Sequence, residues 1–200
     1  MKKYNPNIHH RRSIRLKGYD YSQAGLYFIT ICCQDRECRF GKIENDEMIL
    51  NELGNIAYVE WMKLAERFSN FELDVFQIMP NHMHGIIALK NPVGAGFTPA
   101  QNDTNAPNDL APNDINNQND GYKGAAARVA PTIGDIVGGF KSLVANGCLD
   151  IYKSKNEKMG KFWQRNFHEH IIRNEQSYHR IREYIINNPA KWSDDKFYKI

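Results

Sequence analysis

The sequence lacks the features that mark membrane and secreted proteins. No apolar run is long enough to span a bilayer, and the longest, residues 26–33, has the length of a buried strand. The basic N-terminus has no apolar stretch of the kind found in secretory signals. The four cysteines form no CxxC pair and suggest no disulfide framework. We therefore expect a cytoplasmic protein.

A strong charge excess is also missing from the chain as a whole, because 26 basic and 23 acidic residues give only +3. The charge is unevenly placed, since residues 1–17 hold six Lys and Arg and no acid. Residues 91–130 are mostly Asn, Ala, Asp, Gly and Pro, and such a segment buries too little apolar surface to offset its ordering entropy. The sequence therefore predicts a basic N-terminal arm over 1–18 and a single domain over 19–200, interrupted by a disordered low-complexity insertion at 91–130.

Hydrophobic periodicity predicts alternating strands and helices elsewhere in the chain. Apolar runs and period-two patterns predict strands at 25–33, 71–79, 82–89 and 161–172, with a short hairpin around 45–46. Helical spacing predicts helices over 50–68, from Thr132 to about Gly147, and over 174–188, where Pro189 stops the last one. This order predicts an α+β fold with helices packed on one sheet, and a split βαβ arrangement is the leading candidate.

Two H-x-H pairs are the first candidates for chemistry. Residues two apart in a strand share a face, so each pair can present two imidazoles to one metal ion. In the first pair, His82 and His84, the intervening Met83 can point into the core while both histidines face outward. Gly85 would leave room for a ligand near the backbone. The alternative is a pair of solvated histidines at a strand end.

The second pair, His168 and His170, follows an aromatic segment. Alternation over 161–172 places the two histidines on one polar face together with Gln164 and Asn166. With Arg165 nearby, this face could bind phosphate. It could equally belong to an edge strand that faces water.

The last predicted helix offers a tyrosine and an amide. Tyr184 and Asn188 are four residues apart and therefore share one face, at the margin of the apolar stripe formed by Tyr178, Ile181 and Ile185. A side chain at such a margin is held firmly and still reaches solvent or a substrate.

Together these motifs resemble a known family. An H-x-H strand followed by a terminal Tyr-x-x-x-Asn helix is similar to the HUH single-strand nucleases and transposases, in which a bulky apolar residue, here Met83, separates the histidines. The chain resembles their REP-associated tyrosine transposase branch in the segments 12–21 (RSIRLKGYDY), 79–85 (MPNHMHG), 140–143 (FKSL), 162–166 (FWQRN) and 184–189 (YIINNP). The resemblance implies a ferredoxin-like antiparallel sheet with the HUH motif on a central strand and the catalytic tyrosine on a C-terminal helix.

The resemblance also implies a chemistry: cleavage and rejoining of single-stranded DNA next to hairpin-forming repeats. Tyr184 would be the nucleophile and form a 5′-phosphotyrosine link. His82 and His84 would bind Mg²⁺ or Mn²⁺, with Asn188 as the third ligand. Tyr178 is a weaker nucleophile candidate because Arg182, four residues on, is a poor metal ligand, and Glu183 and Asn187 remain alternative ligands.

A DNA partner fits the basic segments. The arm residues Arg11, Arg12, Arg15 and Lys17 can grip phosphates, and the implied DNA path also includes Arg165 and His170. We expect nucleoid association when DNA is bound, no membrane partner, and either a monomer or a homodimer. Two other functions remain open: a catalytically inactive hairpin-binding protein descended from a transposase, and a metallohydrolase that uses activated water.

Overall fold

The computed structural model describes residues 23–90 and 131–198. The predicted basic arm and the predicted insertion at 91–130 lie outside the described residues. None of the helices within the described ranges is long and apolar enough to cross a bilayer.

Within these described ranges, six strands and four helices follow one another in nearly the predicted order. The strands are β1 (Gly25–Cys32), β2 (Gly41–Glu44), β3 (Glu47–Leu50), β4 (Phe71–Met79), β5 (His82–Leu89) and β6 (His168–Ile172). The helices are α1 (Glu52–Met62), α2 (Leu64–Arg67), α3 (Ile133–Ser154) and α4 (Glu175–Ile186), and a 3-10 turn at Pro189–Asp194 follows α4.

The main sheet confirms the predicted α+β class. Its strands lie in the order β4-β5-β1-β6, and every neighbouring pair is antiparallel. With the β2–β3 hairpin set aside, this is the ferredoxin-like arrangement, in which the two inner strands are the first and third of the sheet. The H-x-H motif therefore begins an inner strand, β5.

The two faces of the sheet bury different layers. Side chains of β1 alternate, so that Tyr27 and Ile29 enter a core shared with α1 and α3, to which these helices contribute the buried rings of Trp61 and Phe140. On the opposite face, Phe28 packs with a smaller apolar cluster formed by Ile86, Ile172 and Ile185. Helix α4 covers that second face over β4 and β5.

Three predicted boundaries are wrong. The predicted helix over 50–68 is interrupted at Lys63 and continues as α2. Helix α3 runs past Gly147 because that glycine lies at the contact with α1, where a Cβ would meet Ile56 Cγ2 at 3.0 Å. The predicted strand over 161–172 is extended only at His168–Ile172. Its first part is a loop, and the Lys141 ammonium donates to the carbonyl oxygens of Gln164 and Arg165.

Helix starts are confirmed by their capping contacts. The Thr132 hydroxyl accepts from the Asp135 amide, and the Asp135 carboxylate accepts from the Thr132 amide, which forms a capping box. Asn174 caps α4 by accepting from the Ser177 amide. Pro189 does not end α4 itself but begins the 3-10 turn that follows.

Gly85 serves packing, and the prediction that it makes room for a ligand is wrong. It belongs to the α1 side of β5, and a Cβ at this position would lie 2.8 Å from Trp61 Cζ2. Trp61 is fully buried and its ring packs against Phe71, Phe76 and Phe140, so a shift of the ring would disturb these close-packed neighbours.

We expect Gly85→Ala to destabilise the fold by about 1–3 kcal/mol, because the added methyl overpacks the Trp61 ring. Gly138→Ala is the matched control, since a Cβ added there would have no neighbour within 4 Å and alanine favours a helix. Urea unfolding measures both variants. Equal stability of Gly85→Ala and the wild type would contradict this packing.

Candidate functional site

The two histidines of β5 lie on the sheet face that α4 covers. Met83, between them, points into the α1–α3 core, as predicted. His82 and His84 are 0% and 1% exposed, so they do not form a solvated surface pair. On the neighbouring strand β1, Cys32 lies opposite His82 and Thr30 lies opposite His84.

Asn81 fixes the tautomer of His82. Its Nδ2 donates to two backbone carbonyl oxygens, those of Arg36 at 3.2 Å and Phe197 at 2.8 Å, which leaves Oδ1 to accept. That oxygen lies 2.8 Å from His82 Nδ1, so Nδ1 carries the proton. The Nε2 atom of His82 therefore presents a lone pair to the site, an orientation typical of metal-binding histidines.

The Nε2 atoms of the two histidines converge. They are 3.0 Å apart, and His84 Nδ1 is held at 2.8 Å by the Thr30 hydroxyl. Two ligands about 2.1 Å from one ion at a right angle are about 3.0 Å apart, which is the octahedral arrangement. The donor pair therefore fits a divalent cation.

Burial keeps both imidazoles uncharged. Desolvation, followed by the charges of Lys196 and Arg36, lowers the pKa of His82 to about 3. Desolvation, followed by the neighbouring His82, also lowers the pKa of His84 well below its usual value. A neutral imidazole is the form that binds a metal ion, so the site is in its binding state at neutral pH.

Tyr184 on α4 lies directly over this pair. Its hydroxyl is 3.0 Å from His84 Nε2, and its ring makes an edge contact with Phe28. The side chain is 40% exposed, as its place at the helix margin predicts. Burial, followed by the charge of Asp195, raises the pKa of Tyr184 above its usual value, so the metal-free protein holds a neutral phenol.

Asp195 is the site residue that the sequence reasoning missed. It follows the 3-10 turn, and its Oδ2 accepts from Tyr184 at 3.2 Å and from Asn188 Nδ2 at 2.8 Å. His82, His84 and Asp195 each offer one potential ligand atom, and these three atoms lie within 4.8 Å of one another. No periodicity or spacing marks Asp195, because its position depends on how the chain turns after Pro189.

The tail that carries Asp195 closes over the histidines. The Phe197 ring lies 4.6 Å from the His82 ring, centroid to centroid, and the Trp192 ring lies 6.0 Å from it. Arg36 and Lys196 place their cations over the Phe197 ring. These contacts account for the complete burial of His82.

The predicted DNA-contacting residues fall into two groups. Arg165 and His170 are exposed, and His170 shares its sheet face with His84. His168 lies on the same sheet face as His170 and is closer to the site, because it is opposite Thr30. The remaining candidates, Arg11, Arg12, Arg15 and Lys17, lie outside the described residues.

The neutral burial of His82 predicts a specific acid sensitivity of the metal-free protein. Below pH 6.5 the unfolded chain protonates this histidine and the native state does not, so the free energy of unfolding decreases as pH falls, by about 1.4 kcal/mol per pH unit. Urea unfolding between pH 7 and pH 5 with a chelator present measures the slope. His82→Gln should reduce the slope, and the exposed control His179→Gln should keep it. An unchanged slope in His82→Gln would contradict neutral burial.

Comparisons with known proteins concern the fold of the chain and the family to which it belongs. No protein-family model matches the chain. A solved structure of a REP-associated tyrosine transposase bound to a REP hairpin is similar, with a TM-score of 0.52 and 19% identity, over 89% of this chain and 74% of that chain. This similarity supports the ferredoxin-like fold. An uncharacterized protein of Haemophilus influenzae (strain ATCC 51907 / DSM 11121 / KW20 / Rd) is 44% identical over 196 residues, which cover 98% of this chain and 97% of that protein. The chain therefore belongs to the same family as this Haemophilus influenzae protein.

Proposed function

We propose that the protein is a metal-dependent transposase that cleaves and rejoins single-stranded DNA next to hairpin-forming repeats. The observation that carries the proposal is the position of the Tyr184 hydroxyl, 3.0 Å from His84 Nε2 and beside the converging imidazole pair. A phenol at this distance from a cation site suits nucleophilic attack on a phosphodiester. The similar fold of the hairpin-bound transposase adds support.

Tyr184 is the proposed nucleophile. Its oxygen bonds to phosphorus, the bond from phosphorus to the 3′ oxygen breaks, and the downstream strand stays attached through a 5′-phosphotyrosine. The phenol releases one proton, and the departing 3′ oxygen takes one up and becomes a hydroxyl. The ester keeps the energy of the phosphodiester, so a 3′-hydroxyl can attack it and rejoin the strands.

His82 and His84 are the proposed ligands of Mg²⁺ or Mn²⁺, and Asn188 or Asp195 would supply a third ligand. A divalent cation held there would polarise the scissile phosphate and neutralise its developing charge. The chain itself holds both imidazoles neutral, orients the Nε2 lone pair of His82 through Asn81, and holds the His84 ring through the contact of Nδ1 with the Thr30 hydroxyl. Thr30 and Asn81 are therefore positioning residues for the histidines.

The arrangement of α4 favours one path for the DNA strand. Helix α4 covers the β4–β5 half of the site face. The β1–β6 half of the same face carries His168 and His170, and both of these side chains are exposed. The strand would therefore leave Tyr184 across Thr30 and over β6, toward Arg165. The basic residues Arg11, Arg12, Arg15 and Lys17 would hold the hairpin.

Tyr184→Phe should abolish a covalent protein–DNA adduct, because the attacking oxygen is removed. The substrate is a 3′-labelled single strand carrying a palindrome that flanks the gene, with Mn²⁺, and the adduct is detected on a denaturing gel. Tyr178→Phe is the matched control on the same helix, where the hydroxyl contacts Asp74. An adduct that survives Tyr184→Phe would overturn the assignment. Binding by the wild type without any adduct would favour the non-catalytic hairpin-binding alternative, and a nick without a protein link would favour the metallohydrolase.

Arg165→Ala should weaken binding to an oligothymidine strand and reduce its salt dependence. Each phosphate contact on a single strand contributes about −0.7 to the slope of log affinity against log salt, so the slope should become shallower by about that amount. Fluorescence anisotropy at several salt concentrations measures it. Arg67→Ala, on α2 at the other side of the sheet, is the control. Identical slopes for Arg165→Ala and the wild type would place the strand elsewhere.

A further inference from the structure

We infer that Asp195 is the third protein ligand of the cation and that Asn188 is its positioning residue. The inference rests on the cation site of the proposed function and assigns to Asn188 a different role from the one that the sequence resemblance implies. Both residues touch the site, and the atoms that they present to it separate their roles.

Asp195 presents an oxygen to the site. A pair of imidazoles needs further ligands to hold Mg²⁺ or Mn²⁺, and a carboxylate suits either ion. Ligands of one octahedral ion lie about 3.0–4.2 Å apart, and the candidate atoms of His82, His84 and Asp195 all lie within 4.8 Å of one another. Side-chain shifts on the order of 1 Å would complete the coordination.

Asn188 presents the wrong atom. Its side-chain nitrogen, Nδ2, donates to Asp195 Oδ2 at 2.8 Å, and an amide nitrogen is not a metal ligand. The oxygen that could bind the cation, Oδ1, is buried and has no hydrogen-bond partner. Asn188 is 2% exposed, so this arrangement is enclosed by the fold.

Electrostatics opposes the other orientation of the amide. Turning it over would place Oδ1 against the Asp195 carboxylate and replace a charge-assisted hydrogen bond with a repulsive contact between two oxygens. Leaving Oδ1 buried without a partner has an energetic cost, because it loses its hydrogen bonds to water. The bond from Nδ2 to a carboxylate offsets that cost, because hydrogen bonds to charged groups are among the stronger ones.

The carboxylate is held at both oxygens. Oδ1 accepts from the Phe197 amide at 2.6 Å, and Oδ2 accepts from Asn188 and from the Tyr184 hydroxyl. Asn188 and the Phe197 amide thus fix the Asp195 side chain, while Oδ2 touches the proposed nucleophile. With two neutral imidazoles and one carboxylate, a divalent cation would retain one net positive charge to attract a phosphate.

Calorimetric titration of the full-length protein with Mn²⁺ tests the assignment. Asp195→Ala should weaken Mn²⁺ binding at least about a hundredfold, and Asn188→Ala only about tenfold, the effect of losing a residue that orients a ligand. The double variant should bind no more weakly than Asp195→Ala, because Asn188 acts through Asp195. Asp194→Ala, at the exposed neighbouring carboxylate, is the matched control and should bind like the wild type.

Three results would overturn the inference: wild-type affinity in Asp195→Ala, a larger loss in Asn188→Ala than in Asp195→Ala, or additive losses in the double variant. Circular dichroism checks that each variant is folded, and Asp195→Asn replaces Asp195→Ala if the latter is not. The adduct assay keeps this test separate from the proposed function. An adduct together with unaltered binding in Asp195→Ala refutes the ligand and leaves the function. Mn²⁺ bound through Asp195 without any adduct refutes the function and leaves the ligand.

Discussion

The approach of two imidazole nitrogens to 3.0 Å inside the protein is the constraint on which the site depends. The hydrogen bond from His82 Nδ1 to Asn81 turns the Nε2 lone pair of His82 toward His84. Protonation would make this contact favourable, but burial lowers the pKa of both rings. A divalent cation would stabilise the pair in another way, by accepting both lone pairs. The rigid inner strand β5, anchored by Met83 in the core, keeps the two rings in place without it.

The end of the chain completes what the strand begins. The 3-10 turn after α4 brings Asp195 and Phe197 back over β5, and Asn81 donates to the Phe197 carbonyl oxygen. Asn81 therefore orients His82 and also fastens the tail beside it. The Tyr184 hydroxyl lies between the tail carboxylate and His84, so the proposed nucleophile is held from both sides. The proposed cation and nucleophile, with the exposed strip toward β6, would together form a site suited to phosphodiester exchange on a single strand.

Much of this arrangement is predictable from local patterns. The strands over 71–79 and 82–89 have the bounds that the sequence predicts, because each is an apolar run on either side of the turn at Pro80. The capping residues Thr132 and Asn174 are readable because a helix start also has a local signature. Gly147 resembles a helix end in the sequence, but its role is a tertiary contact with Ile56. Asp195 has no such signature, because its approach to His84 depends on a turn and on a hydrogen bond to Asn188, two residues beyond α4.

A cation bound between the two histidines is the central requirement of the proposed function, and anomalous diffraction from crystals grown with Mn²⁺ tests this most directly. We predict one anomalous peak about 2.1–2.2 Å from Nε2 of both His82 and His84, under the Tyr184 hydroxyl. The same crystals grown with a chelator should show no peak there. A map from the Mn²⁺ crystals with no density between the two rings, or with Mn²⁺ bound only at other residues, would contradict the central claim.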